Sequence, residues 1–222
     1  MLRSLAKLLM GLAIFVGLPL AAWGFRDLSQ FFRHPARLAY VILAVLLQLA
    51  VILGRPGSGE GGPGRPDAKR GNLDLILIQI ISLAIVLAGP YTDRSSLASM
   101  AAPDCLRFIG LALFALGMLL MQWAEAALGR QFSVKLTLQE GHRLVTSGPY
   151  NILRHPRYAG ILLFFAGFSL AFRSWLALAL VGAMAALLLY RIRAEEAMMR
   201  QEFGSEWESY AKRSWRMVPW MF

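Results

Sequence analysis

The stretch "RYAGILLFFAGFSLAFRSWLALALVGAMAALLLYRIRAEE", residues 157–196, is an apolar run with polar residues at both ends and one interruption, "FRSW" at 172–175. The interruption divides the run into two short helices, about 158–172 and 175–190, joined by a tight turn. Helices this short must sit against other protein, thin the bilayer or cross only part of it. Working back toward the N-terminus, further apolar windows fall at about 5–23, 36–53, 73–90 and 106–124. Each is close to the ~20 residues that a helix needs to cross about 30 Å of hydrocarbon. The pattern predicts an all-α integral membrane protein of about six transmembrane helices, with a short helical hairpin near the C-terminus.

Composition agrees. Of 222 residues, 57% are hydrophobic and only 16% charged, too little charge for the surface of a soluble domain of this size. The N-terminal stretch "MLRSLAKLLMGLAIFVGLPLAAWG" has the basic start of a signal peptide, but its apolar run outlasts a signal core of roughly 7–15 residues and lacks a small-x-small cleavage site. A retained first helix is expected. Cys105 is the only cysteine, so neither an internal disulfide nor a thiolate metal cluster is available, and the three histidines lie far apart in sequence; no metal is expected.

Net charge is +10, which orientation explains better than a nucleic-acid partner. With six crossings both termini share a side, and seventeen of the 23 Lys and Arg fall in segments on that side. The positive-inside rule makes that side cytoplasmic. The Arg-, Ala- and Gly-rich composition suggests a bacterial source, hence an inner-membrane protein. "GRPGSGEGGPGRPDAKRGN", 54–72, reads as a flexible linker. Residues 1–128 are then an N-terminal set of membrane helices, and 129–222 a polar functional region.

Polar residues concentrate in 130–158 and 191–216, which the hairpin returns to the same side of the membrane. In "GHRLVTSGPYNILRHPRY", 141–158, Gly148-Pro149 marks a turn and His155-Pro156 constrains the backbone just before a helix. Arg, Tyr and Trp also favour the membrane interface as plain anchors, so a non-catalytic reading stands beside a binding one. In "YRIRAEEAMMRQEFG", 190–204, Arg191 and Glu195 lie one turn apart on a helix that ends at Gly204. The simplest reading of that pair is a surface i,i+4 ion contact. The adjacent Glu195 and Glu196 fall on different faces, so only one is expected to point at a given site.

The two segments together, H-x-L-V-T-x-G-x-Y-x-x-x-R-H-P-x-Y-x-G followed by R-x-x-x-E…F-G-x-x-W-x-x-Y, resemble the isoprenylcysteine carboxyl methyltransferase family of integral-membrane enzymes. The resemblance runs from about Gly129 to the C-terminus. It implies a methyltransferase with an S-adenosylmethionine cofactor held on the cytoplasmic side. Cofactor contacts implied by the resemblance are His142, Arg143, Leu144, Val145, Tyr150, His155, Pro156, Arg157, Tyr158 and Glu195. Arg191 matches the family arginine at the methyl-accepting group. The acceptor stays open: a carboxylate is already a nucleophile, whereas an amine or thiol needs a base, for which Glu196 or His155 is the candidate. Membrane sterol reductases share an "RHP-x-Y-x-G" segment and a "G-x-x-W-x-x-Y" tail, which keeps an NADPH-dependent reductase as the alternative.

Overall fold

The computed structural model describes residues 2–53, 65–66, 73–129, 137–138 and 144–220. The chain is helical throughout its apolar windows. The first comprises α1 (Leu2–Leu12), a π turn (Ala13–Gly17) and α2 (Leu18–Trp23). The π turn has a local cause. Pro19 has no N–H to donate to the Phe15 carbonyl one turn earlier, and the Tyr40 hydroxyl donates to that carbonyl instead.

A short helix, α3 (Leu28–Arg33), and α4 (Pro35–Leu53) form a pair bent by 102° at His34. Pro35 opens α4, where its missing N–H costs nothing. Then follow α5 (Leu73–Ser95), α6 (Cys105–Leu128), α7 (Pro156–Ala171), α8 (Trp175–Phe203) and the small α9 (Ser205–Lys212). Among the described residues, four helical stretches are long and apolar enough to cross a membrane, and the bent pair makes up to five. The sixth apolar helix, α7, has 16 residues and falls short of that length, as the hairpin reading anticipated, but the second arm, read as a short helix over about 175–190, continues without a break to Phe203 and is long enough to span. Arg65–Pro66 pairs with Thr137–Leu138 in an antiparallel two-residue contact, which joins the linker to the segment after α6.

The hairpin turn falls where "FRSW" placed it. Arg173 takes φ 50°, and the turn is held from outside. Met100 N donates to Arg173 O at 2.6 Å, and Trp175 N donates to Ala98 O at 2.9 Å. Ser174 caps α8 by accepting from Ala177 N at 2.9 Å, and Thr92 Oγ1 of α5 donates to the same Ser174 hydroxyl at 2.8 Å.

Helices α6 and α7 run antiparallel in close contact, because glycines face each other at matched seven-residue spacing: Gly110 against Gly167 and Gly117 against Gly160. Small residues let the two backbones touch, the usual means of packing helices in lipid. Beside this seam an aromatic core fills the bundle. Phe114 stacks on Phe164 at 4.2 Å between centroids, and Tyr40 meets Phe172 and Phe168 edge-on at 5.0 and 5.6 Å.

At one end of the bundle Asp93 of α5 holds two arginines, accepting from Arg107 (2.6 and 3.0 Å) and from Arg37 (2.9 Å). The other end carries the polar segments of the second half. The 29 residues of α8 rise about 43 Å, more than the ~30 Å of hydrocarbon, so its last turns lie at or beyond the membrane boundary. Glu195 and Glu196 ride on those turns.

Candidate active site

The loop that enters α7 is fixed by the C-terminal segment. Arg154 N donates to Trp215 O (2.7 Å), His155 N to Arg216 O (3.0 Å) and Trp215 N to Ile152 O (2.8 Å). The Tyr210 hydroxyl donates to the Tyr150 carbonyl at 2.8 Å. The "G-x-x-W-x-x-Y" tail therefore straps the "RHP" loop in place. Pro156 starts α7, and the His155 carbonyl accepts from Tyr158 N and Ala159 N at 3.1 Å each, so His155 stands at the helix entrance with its side chain buried.

From α8, Arg191, Glu195 and Glu196 face this entrance. Arg191 Nε donates to the Tyr158 hydroxyl (2.8 Å) and to Glu195 Oε1 (3.2 Å), and the Tyr158 hydroxyl donates to Glu195 Oε1. A further guanidinium nitrogen of Arg191 donates to Asp74 at the start of α5. The simple surface-pair reading of Arg191 and Glu195 is thus corrected: Arg191 is only 3% exposed, its charge is matched by two carboxylates, and a phenol accepts a further hydrogen bond from it. Glu196 Oε1 accepts from Arg154 Nε (3.1 Å) and Arg216 Nε (3.0 Å), and its Oε2 accepts from the other side of the Arg216 fork (2.6 Å).

His155 joins the two groups. Its Nδ1 lies 3.5 Å from Glu195 Oε2, and its Nε2 lies 3.4 Å from Glu196 Oε1, out of line for a hydrogen bond and so an ionic contact. The expectation that only one of the adjacent glutamates points at the site is overturned. They sit on neighbouring faces, and the imidazole is placed between those faces, one ring nitrogen toward each. A neutral imidazole has a single N–H, whereas the imidazolium presents one to each carboxylate. Burial pulls the His155 pKa down, but the contacts with Glu195 and Glu196 outweigh it and raise it above the ordinary value.

The remaining expected residues divide. Tyr158 lies parallel to His155, ring centroids 5.8 Å apart. Arg157 contacts Glu125 of α6, its Nε 3.4 Å from Oε1. Tyr150 is buried, and burial pushes its phenol above the usual range. Leu144 and Val145 are half-buried in the run that leads to Gly148, whose φ of 60° makes the turn. Pro156 is buried at the first position of α7. His142 and Arg143 lie outside the described residues.

Sequence reasoning missed Asp74, Glu125 and Arg216. The first two carried a usable signal. Asp74 opens an 18-residue run without charge, and Glu125 is the one acid in α6; a carboxylate in such a helix needs a partner. Arg216 carried none, because the tail that brings it to Glu196 has no periodic pattern.

Residues 106–206, from α6 to the start of α9, match the family model of phospholipid methyltransferases. The chain is 34% identical over 115 residues to protein-S-isoprenylcysteine O-methyltransferase B of Arabidopsis thaliana, a match covering 50% of this chain and 58% of that protein. The chain thus spans little more than half the length of this relative. A shorter match links it to the Delta(14)-sterol reductase of Ascobolus immersus, 31% identical over 90 residues, 39% of this chain and 21% of the reductase. Among solved structures, the eukaryotic intramembrane Ras methyltransferase ICMT superposes with a TM-score of 0.52 at 18% identity, over 96% of this chain and 97% of that one. At that identity the likeness shows a shared fold.

Proposed function

We propose that this integral membrane protein is an S-adenosylmethionine-dependent methyltransferase acting on a lipophilic acceptor, a reading supported by its sequence similarity to a protein-S-isoprenylcysteine O-methyltransferase and by the shared fold. The methyltransferase region is 129–222, completed by α6. The observation that carries the reading is the buried Arg191–Tyr158–Glu195–His155 cluster at the membrane boundary, built from both halves of the motif.

The side chains present fit the cofactor. Glu195 Oε2 is 3.5 Å from His155, a long contact that leaves acceptor capacity for the cofactor's ammonium or ribose hydroxyls. The Arg157 guanidinium suits its carboxylate, and the Tyr150 and Tyr158 rings suit its adenine or cationic sulfur. His142, Arg143, Leu144 and Val145 complete the proposed set. When bound, the cofactor supplies an electrophilic methyl group on a sulfonium.

The chain's own task is alignment and a dry, charge-matched setting for an in-line displacement. Arg191, held in its plane by Glu195, Tyr158 and Asp74, orients the acceptor. Neither candidate base is suited to the task. His155 lies between two carboxylates that favour its protonated form, and Glu196 is engaged by Arg154 and Arg216. This supports an acceptor that arrives already ionised, a carboxylate rather than an amine.

The test is calorimetric titration of the detergent-purified chain with S-adenosylhomocysteine and, in parallel, NADPH. The expected result is binding of the first alone, weakened by Glu195→Gln and kept by Arg191→Lys, with turnover lost in the latter. Binding of NADPH alone would replace this reading with the reductase.

A further inference from the structure

We infer that Asp74, at the N-terminus of α5, is a positioning residue that sets the Arg191 guanidinium for the acceptor carboxylate; this rests on the methyltransferase reading above. Asp74 lies 117 residues before Arg191 and outside the 106–206 stretch that matches the family model, in the half of the chain that otherwise packs and anchors.

Two features make Asp74 a fixed support. Its Oδ1 accepts from Leu75 N at 2.9 Å, so the carboxylate is tied to the first turn of its own helix, where the dipole favours a negative charge. Its Oδ2 accepts from Arg191, and the side chain is only 13% exposed. On the other edge of the guanidinium, Glu195 and the Tyr158 hydroxyl accept from Nε. A planar fork held at two edges by groups on three different helices has its tilt and rotation fixed. Losing the Asp74 contact removes one of these two holds.

The charges around Arg191 argue for the same role. Asp74 and Glu195 contact it directly, and His155 lies beyond Glu195, so an arginine that is 3% exposed is kept charged by carboxylates supplied from two separate helices. Replacing Asp74 by Asn preserves the side-chain shape and the bond to Leu75 N, but it removes the charge-assisted hold on Arg191. The acceptor would then meet a guanidinium that leans toward Glu195, and a carboxylate would lose its advantage over an uncharged analogue of equal size. Among the described residues, Asp74 bonds only Leu75 N and Arg191 and touches none of the proposed cofactor contacts directly, so cofactor affinity should change far less than the acid preference.

The experiment uses the full chain in detergent, saturated with S-adenosylhomocysteine so that no transfer occurs. It is titrated with N-acetyl-S-farnesylcysteine and, separately, with the corresponding carboxamide. The parent is expected to prefer the acid. Asp74→Asn should reduce that preference about tenfold while its affinity for S-adenosylhomocysteine stays within about twofold, and Asp74→Glu should restore part of the preference. An unchanged preference overturns the inference, as does tighter acid binding, which would make Asp74 a competitor for Arg191. A parent that binds S-adenosylhomocysteine but not the acid also overturns it and leaves the methyltransferase reading standing. A parent that binds neither removes both.

Discussion

A glycine seam brings the backbones of α6 and α7 into contact, and Gly117→Ala tests whether it holds the second half together. A Cβ at Gly117 would lie 2.4 Å from Phe164 N and 2.7 Å from Gly160 O; the counterparts at Gly110 and Gly167 come within 2.4 and 2.3 Å of backbone nitrogens. Every one of these atoms is main chain, so no rotamer relieves the clash. Ordinary contact begins at 3.4 Å, and the two helices must part by about 1 Å. A gap of that size forfeits a quarter to a half of each ~0.1–0.2 kcal/mol atom pair, which at mid-range values is about 3 kcal/mol over roughly fifty pairs. Alanine's better helix propensity returns about 1 kcal/mol, leaving a net loss of about 2 kcal/mol. The assay is unfolding of the purified chain in mixed micelles by SDS titration. Gly182→Ala is the control, since a Cβ there meets nothing within 4 Å and should be neutral or slightly stabilising. If Gly117→Ala unfolds within about 0.5 kcal/mol of the parent, the seam is looser than its geometry requires and the packing argument is wrong.

Two more perturbations probe the charged ends of the bundle. Asp93→Asn should destabilise the fold by about 3–5 kcal/mol, because Arg107, 4% exposed, would lose the carboxylate that matches its charge; a loss under about 1 kcal/mol in the same SDS titration would refute this. His155 should titrate above its ordinary value of 6.5, followed by the NMR shift of a labelled imidazole. A folded-state pKa raised by Glu195 and Glu196 gives stabilisation that is complete below pH 6.5 and fades as pH rises through the raised value. A midpoint at or below 6.5 would show that the carboxylates do not hold the imidazolium.

The sequence was informative wherever a local pattern has a local cause. The break at "FRSW" became the hairpin turn because apolar helices on both sides leave the chain nowhere else to reverse. Arg191 and Glu195 were placed on one helix face by the 3.6-residue period, and His155-Pro156 at a helix entrance by proline geometry. The first two windows were legible as helices. Their π turn and 102° bend were not read, although Pro19 and Pro35 stood at the break points. Their shape depends on partners such as Tyr40 as well as on the prolines.

By itself, then, the sequence determined an all-helical membrane protein, the hairpin turn, and the placing of Arg191 and Glu195 on one helix face, because hydropathy, helix period and proline constraints act over a few residues. Only the tertiary structure decided which charges meet. Asp74 reaches Arg191 across 117 residues, Arg216 reaches Glu196 through an aperiodic tail, and His155 falls between two glutamates that helix geometry alone sets on separate faces. Ion pairing in a buried site depends on distances between helices, and those are set by packing such as the α6–α7 glycine seam, which no local pattern encodes.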